Sequence, residues 1–395
     1  MKLTRRSFVA TAGAATLAAP HVRAQGAGSV KVGVIAPFSG GFATWGRQFR
    51  QAIELHAAQN PRAGNTSVEV IYRDETGADP ARARQLAQEL VVRDRVDFLA
   101  GAVFSPSALG IAPVTAEAKK PFLIFNAATS VITRRSPYIA RMSFTLWQVT
   151  VPAAQWAFRN GVREALIVVS DYAPGHDARD AFRQAFTAAG GTIKDVSLIP
   201  LNVVDFAPHV QAILDKRPGA VYVFMPAGPT SIGFMKAFAD LGGHRQGIKL
   251  IGTGETDEVE LPAIGDSALG VITAYHYSLS LDTPKNRDFV AAYRRQHGAD
   301  AIPNFASVAA YDGMHVIHEV TRRLEGRIDG DQAMEIIKGL RIDSPRGPIT
   351  IDAGERDVVQ DVYIRRVERQ GGALVNVAFD KFEQVRDPWK DQNRS

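Results

Sequence analysis

Val30-Lys31-Val32-Gly33-Val34-Ile35 is a short run, apolar but for one lysine and one glycine, rich in the β-branched residues that suit a strand and too brief for a helix. Residues 44–60 follow with helical spacing, and residues 68–72 return to strand character. Asp79-Pro80 then opens a helix ending near Asp94, with Asp as N-cap and Pro at the first helical position, where a missing N–H costs nothing. Residues 96–100 and 121–125 read as further strands, separated by a helix over residues 106–119. Short apolar strands alternating with longer helices form βαβ units, whose crossovers are right-handed and whose sheet is parallel.

The same rhythm restarts further along the chain. Residues 165–169, 192–198, 220–224 and 249–253 have strand composition, with helical stretches at 178–189, 206–216 and 230–241 between them. Two doubly wound α/β lobes are the economical architecture for a chain of this length, since single cores stop growing near about 250–300 residues. After residues 270–274 the pattern changes to three consecutive helices, at 285–297, 305–324 and 330–340. The tail, residues 349–377, alternates as strands around the turn Asp352-Ala353-Gly354 and is expected to pair back onto an earlier sheet.

At the other end, Thr4-Arg5-Arg6-Ser7-Phe8-Val9 sets two adjacent arginines ahead of an apolar run over residues 8–19, which closes in Pro20 and Val22-Arg23-Ala24. Charged segment, apolar segment and small-residue cleavage site stand in the order of a secretory signal, and the run is short of the ~20 residues that span a bilayer. Residues 1–24 are therefore read as a twin-arginine signal peptide, cleaved after Ala24, that sends the folded chain to the periplasm. Four of the 46 basic residues and none of the 41 acidic ones fall in that segment, so the net charge drops from +5 to +1 on its removal. Nucleic acid and anionic membranes lose their appeal as partners. The chain has no cysteine, which excludes disulfides, thiolate metal sites and a lipid-bearing N-terminal Cys. A freely diffusing monomer without stable membrane insertion is expected.

Further residues carry a resemblance. Val32-Gly33-Val34-Ile35-Ala36-Pro37-Phe38-Ser39-Gly40 with Ala43-Thr44-Trp45-Gly46, then Gly101-Ala102-Val103-Phe104-Ser105, Asn126-Ala127-Ala128-Thr129, Asp171-Tyr172-Ala173-Pro174-Gly175, Asp205-Phe206, Ala310-Tyr311-Asp312-Gly313 and Gly347-Pro348-Ile349 occur in order. The set resembles periplasmic substrate-binding proteins of the leucine/isoleucine/valine-binding type, which serve ABC transporters. That resemblance implies the type I periplasmic binding protein fold: two Rossmann-like lobes with parallel sheets, joined by a three-crossover hinge that closes on ligand. It places the crossings near residues 144–147, 275–278 and 344–347. Lobe 1 would comprise residues 25–146 and 278–344, and lobe 2 residues 147–277 and 345–395.

In such a sheet ligand sits beyond the carboxyl ends of the strands, against helix N-termini. Ser105-Pro106-Ser107 follows a strand and opens a helix, so Ser105 and the first-turn amides can hold a carboxylate without any Arg or Lys. By resemblance, Ser105, Ala127 (through its backbone) and Thr129 match carboxylate-binding positions, with Asn126 and Ala128 in the same loop. Trp45 matches an aromatic wall of the pocket, and Phe104, Tyr172, Tyr275 and Tyr277 are further aromatic candidates. A simpler role exists for each: serines and threonines cap helices and turns, and aromatics fill cores.

The departures bear on specificity. Amino-acid-binding relatives have a Tyr where this chain has Gly228, and an ammonium-binding Glu where it has Gly254, although Glu255 is adjacent. An α-ammonium needs a nearby carboxylate, because an unpaired buried cation is heavily penalised. If Glu255 or Asp257 turns away from the site, a branched-chain amino acid becomes a poor ligand and an aromatic acid suits a widened, glycine-lined second lobe. Both ligand classes remain open at this point.

Enzymatic motifs are missing: no Cys nucleophile, no zinc-protease helix, no Walker-type loop and no nucleophile elbow. His315 and His318 beside Glu319 form a partial metal face with no evident further ligand, and Asp300, Asp312 and Asp352 stand as isolated turn or cap residues. No metal or organic cofactor is expected. The function implied is a solute-binding component delivering a small carboxylate to an inner-membrane ABC permease; the alternative is a ligand sensor feeding a membrane signalling receptor.

Overall fold

The computed structural model describes residues 29–393, so the paired arginines of residues 1–24 lie outside the described residues. Strands β1 (Ser29–Ala36) and β2 (Ser67–Asp74) flank helix α1 (Ala43–Gln59); helix α2 (Pro80–Val92), strand β3 (Phe98–Gly101), helix α3 (Ser105–Ala118) and strands β4 (Phe122–Ile124) and β5 (Ile139–Arg141) follow. The five strands make one parallel sheet in the order β2-β1-β3-β4-β5. Alternation along β1 shows why its residues are apolar on both faces. Val32 and Val34 pack into a cluster with Phe49 and Ala52 of α1, whereas Ile35 joins Leu86 and Leu90 of α2. Asp79 caps α2 as its sequence indicated, its Oδ1 accepting from the amides of Ala81 (2.9 Å) and Arg82 (3.0 Å).

The second sheet is built in the same way from helix α4 (Leu146–Arg159), strand β6 (Glu164–Ser170), helix α5 (Ala173–Ala188), strand β7 (Thr192–Ile199), helix α6 (Ala207–Leu214), strand β8 (Ala220–Phe224), helix α7 (Pro229–Asp240), strand β9 (Lys249–Gly252), helix α8 (Leu261–Ile264) and strand β10 (Ile272–Tyr275). Helices α9 (Pro284–His297), α10 (Phe305–Arg323) and α11 (Gly330–Ile337) then return to the first lobe, α9 and α10 packing on α1 and α11 on α10. Strands β11 (Arg341–Ser344), β12 (Gly347–Ile351), β13 (Val358–Gln370) and β14 (Ala373–Val385) and helix α12 (Pro388–Gln392) complete the chain. The expected return of the tail occurs through β13, which pairs antiparallel with β10 and extends the second sheet to the order β11-β12-β13-β10-β9-β8-β6-β7, with β14 on β13.

Three connecting segments meet between the lobes. His276, just after β10, stacks on Phe144, just after β5, with ring centroids 4.9 Å apart. Arg346, in the β11–β12 turn, is wholly buried and donates to the carbonyls of Met142 and Ser143. Its guanidinium also reaches Asp312 Oδ2 at 2.9 Å, where Ser344 Oγ donates at 2.7 Å. Asp312 was expected to be an isolated turn or cap residue; it is instead the buried acid of this knot, because α10 carries it against the third connection. Asp352 does serve a turn, accepting from the amides of Gly354 and Glu355. No helix among the described residues is long and apolar enough to cross a membrane.

Candidate functional site in the interlobe cleft

Between the carboxyl ends of the two sheets lies a cavity. The first lobe contributes Trp45, Val103, Phe104, Ser105, Asn126 and Ala128, with Phe305 from the start of α10. The second contributes Tyr172, Pro174, Phe224, Met225, Pro226, Ala227, Thr253, Gly254 and Tyr275, and Phe144 and Leu146 stand at the connection.

Trp45 owes its place to Gly46. The Gly46 amide donates to Pro37 O at 3.2 Å, and a Cβ there would lie 2.3 Å from that oxygen, so only glycine lets the first turn of α1 fold so tightly over the β1 loop. Ser105 is the first residue of α3, with Phe104 extended at the N-cap. Rather than capping its own helix, its Oγ accepts from the amides of Ala128 (3.2 Å) and Thr129 (3.1 Å), tying the start of α3 to the loop after β4. With its acceptor role filled, the Ser105 proton is left to donate toward the cavity. Asn126 donates Nδ2 to Val103 O at 2.8 Å while its Oδ1 has no partner among the described residues. The first-turn amides of α3 have no helical carbonyl to bind and add their dipole to this polar end.

The rest of the wall is aromatic. Trp45 meets Phe305 edge to face with centroids 5.2 Å apart, Phe305 meets Tyr275 at 4.7 Å, and Phe144 meets Tyr275 at 4.9 Å. Tyr172 lies nearly parallel to Phe224 at 6.2 Å. Edge-to-face and offset contacts of this kind hold rings in fixed orientation. Hydrogen bonds cross the cleft: Trp45 Nε1 donates to Ala227 O at 3.2 Å, the Ser130 amide to Asp177 Oδ2 at 3.1 Å and Asn304 Nδ2 to Asp257 Oδ2 at 2.6 Å. Burial pushes the Asp177 carboxyl up to about 6, against the Ser130 amide and Arg141, which favour its ionised form.

Eight of the residues singled out from sequence therefore line the cavity: Trp45, Phe104, Ser105, Asn126, Ala128, Tyr172, Gly254 and Tyr275. Six stand outside it. The Ala127 amide, expected to face a carboxylate, donates to Ala102 O at 3.0 Å. Thr129 is buried beside the site with its Oγ1 unpartnered among the described residues. Gly228, at φ +117°, forms the N-cap of α7 against Phe42, so of the two glycines expected in the second wall only Gly254 lines the cavity. Glu255 is fully buried and turned inward: its Oε1 accepts from the Met225 amide at 3.1 Å and from Thr253 Oγ1 at 3.2 Å, and its Oε2 from the Thr253 amide. Burial raises its carboxyl to about 7, although those hydrogen bonds pull the other way. Asp257 is likewise buried, bonded to Asn304 Nδ2 at 2.6 Å. Among the residues that line the cavity none is Asp, Glu, Lys or Arg. Tyr277 lies outside as well, its hydroxyl bonded to Asn286 at 2.9 Å.

Phe224, Met225, Pro226 and Phe305 were missed from sequence. Phe224 ends β8 and Met225 and Pro226 follow it, where the rule of strand carboxyl ends points to them; Phe305 opens a helix far along the chain and carries no such signal. His315 and His318 acquire His56 as a neighbour, with ring centroids 6.3 and 4.6 Å from it, yet no group of three or more metal-ligating side chains is arranged to hold an ion among the described residues.

Comparison with known proteins agrees with this geometry. A 45% identical relative, the Leu/Ile/Val-binding protein homolog 6 of Brucella melitensis, matches over 362 residues, covering 91% of this chain and 93% of the relative. A solute-binding protein of an ABC transporter from R. palustris, solved with 4-hydroxybenzoate, superposes with a TM-score of 0.89 at 41% identity, covering 92% of this chain and 100% of the other. Another from Rhodopseudomonas palustris, solved with 3,4-dihydroxybenzoic acid, gives 0.88 at 43% identity over 92% of this chain and 99% of the other. The periplasmic binding protein family profile matches residues 29–373. By sequence, fold and cleft alike, the chain belongs to the periplasmic binding protein family.

Proposed function

We propose that this protein is the periplasmic solute-binding component of an ABC importer and that its cargo is an aromatic carboxylate rather than a branched-chain amino acid. One observation carries the choice of ligand: the aromatic cavity has no lining carboxylate, and the two acids nearest in sequence to an ammonium site, Glu255 and Asp257, are buried behind the wall in bonds of their own. An ammonium placed there would be an unpaired buried cation. A benzoate-type ligand needs no such partner. Its carboxylate suits the Ser105 hydroxyl and the first turn of α3, and its ring suits the slot between Trp45, Phe144, Tyr172 and Phe305. The ligands held by the two Rhodopseudomonas proteins support the same class.

Binding proceeds by hinge closure of the lobes, residues 25–146 with 278–344 against 147–277 with 345–395, and the Trp45–Ala227 and Ser130–Asp177 bonds form on closing. The closed form is delivered by a monomer, exported through the twin-arginine route, to an inner-membrane permease, and the ligand leaves unchanged, without catalysis. A thermal-shift screen tests the ligand assignment. Benzoate-type acids should raise the melting temperature in proportion to ln(1 + [L]/Kd), whereas leucine, isoleucine and valine should leave it in place. A shift with the amino acids alone would reject the assignment.

A further inference from the structure

Six tyrosines are buried among the described residues, and five of them satisfy their hydroxyls internally. Tyr138 bonds to Asp331 (2.6 Å), Tyr222 to Thr150 (2.7 Å), Tyr277 to Asn286 (2.9 Å), Tyr293 to Gln48 (2.9 Å) and Tyr363 to Arg346 O (2.7 Å). Tyr275, 2% exposed, is the exception: its hydroxyl makes no hydrogen bond to any described residue. Buried tyrosines ordinarily find a partner for the phenol, because an unmet polar group in the interior is costly. Tyr275 lines the cavity, so its missing partner is one that the cavity admits.

The ring cannot swing away to find another. It is wedged edge-on between Phe144 and Phe305, and the Arg365 guanidinium lies 5.1 Å from its centroid. On a further side it rests against Gly254, where a Cβ would stand 3.0 Å from both Cζ and Oη. The position at which amino-acid-binding relatives carry a glutamate is thus bare here so that a phenol can occupy the space. Tyr275 also belongs to β10 in the second sheet, whereas Ser105 and Asn126 follow strands of the first. A ligand anchored by its carboxylate at Ser105 therefore presents its far edge toward the other lobe. Burial and the carboxyls of Asp257, Glu255 and Glu258 raise the phenol's pKa, with Arg365 opposing, so the group stays protonated and can both donate and accept.

Resting on the aromatic-carboxylate reading, we infer that Tyr275 is the specificity-determining residue of the cleft, its hydroxyl bonding a ring hydroxyl remote from the ligand's carboxylate, so that hydroxylated benzoates are preferred to benzoate itself. Isothermal titration of benzoate and 4-hydroxybenzoate against the wild type, Tyr275→Phe and Tyr172→Phe tests this. The wild type should favour 4-hydroxybenzoate by about tenfold, the worth of one buried hydrogen bond. Tyr275→Phe should erase that preference, the affinity for 4-hydroxybenzoate falling by more than that for benzoate, and Tyr172→Phe should retain it. Gly254→Ala, which pushes on the same ring, should also lose affinity selectively for the hydroxylated ligand and serves if Tyr275→Phe folds poorly. Equal loss for both ligands in Tyr275→Phe, an undiminished preference there, or its disappearance in Tyr172→Phe instead would overturn the assignment. Failure of the wild type to bind either acid would sink the aromatic-carboxylate reading itself and this inference with it.

Discussion

The two walls of the cleft are built alike and finished differently. Each presents the carboxyl ends of parallel strands and the first turns of helices, an arrangement rich in unpaired amides. On the first wall a hydroxyl ties the loop together and keeps a donor free: Ser105 Oγ accepts from the Ala128 and Thr129 amides, which leaves its proton for the cavity that it lines. On the second wall the protein has filled the hole with its own acid. Glu255 takes the Met225 and Thr253 amides, and Ser231 Oγ occupies the Gly228 amide at the start of α7. One fold thus yields a polar anchor on one side and a sealed, aromatic face on the other, and a ligand with one charged end and one flat apolar body matches the pair.

The largest effect that would break this contrast concerns Glu255. Burial raises its carboxyl from 4.5 to about 7, so the folded chain holds that proton more tightly than the unfolded one. Its contribution to stability is complete below about pH 4.5 and is lost as pH rises through about 7. In urea unfolding between about pH 5 and about pH 8, the stability difference between wild type and Glu255→Gln should move by roughly 2–3 kcal/mol in favour of the variant at the alkaline end. A pH-independent difference would place Glu255 in contact with solvent and reopen the second wall to an ammonium.

Next in size is Ser105→Ala, which removes the donor facing the ligand and orphans two amides behind it. A hydrogen bond to a charged group contributes roughly 1.5–3 kcal/mol, so affinity for a benzoate-type acid should fall about tenfold to a hundredfold by titration calorimetry. Unchanged affinity would move the anchor away from the start of α3. Smallest is Trp45→Phe, which keeps most of the wall and deletes the indole bond to Ala227 O. Closure should weaken by roughly 1 kcal/mol, read as about a fivefold faster ligand dissociation in stopped flow. No change in that rate would mean that the bond does not resist opening.

Much of the fold was legible because the strands are buried on two faces. Val32, Val34 and Ile35 each find helix residues to pack against, and such strands leave continuous apolar runs. β5 left none: three residues long, it ends in Arg141, whose buried guanidinium lies 3.0 Å from Asp357 across the chain. The place of Ser105 at a helix start on the cavity was legible too, since a Ser-Pro-Ser helix start after a strand is a local pattern. What stayed hidden depends on tertiary direction. Whether Glu255 faces the cleft or the core, whether Asp312 meets Arg346, and whether His56 reaches His318 are decided by packing between distant segments, on which local sequence is silent. Phe305 enters the cavity only because α10 returns to the first lobe.

The most direct test of the account is calorimetric titration of the protein, unfolded and refolded to strip any retained ligand, with 4-hydroxybenzoate and with leucine. The two-wall account predicts saturable, equimolar binding of 4-hydroxybenzoate and no heat from leucine at the same concentrations. Leucine binding as tight as that of the aromatic acid, or tighter, would contradict it.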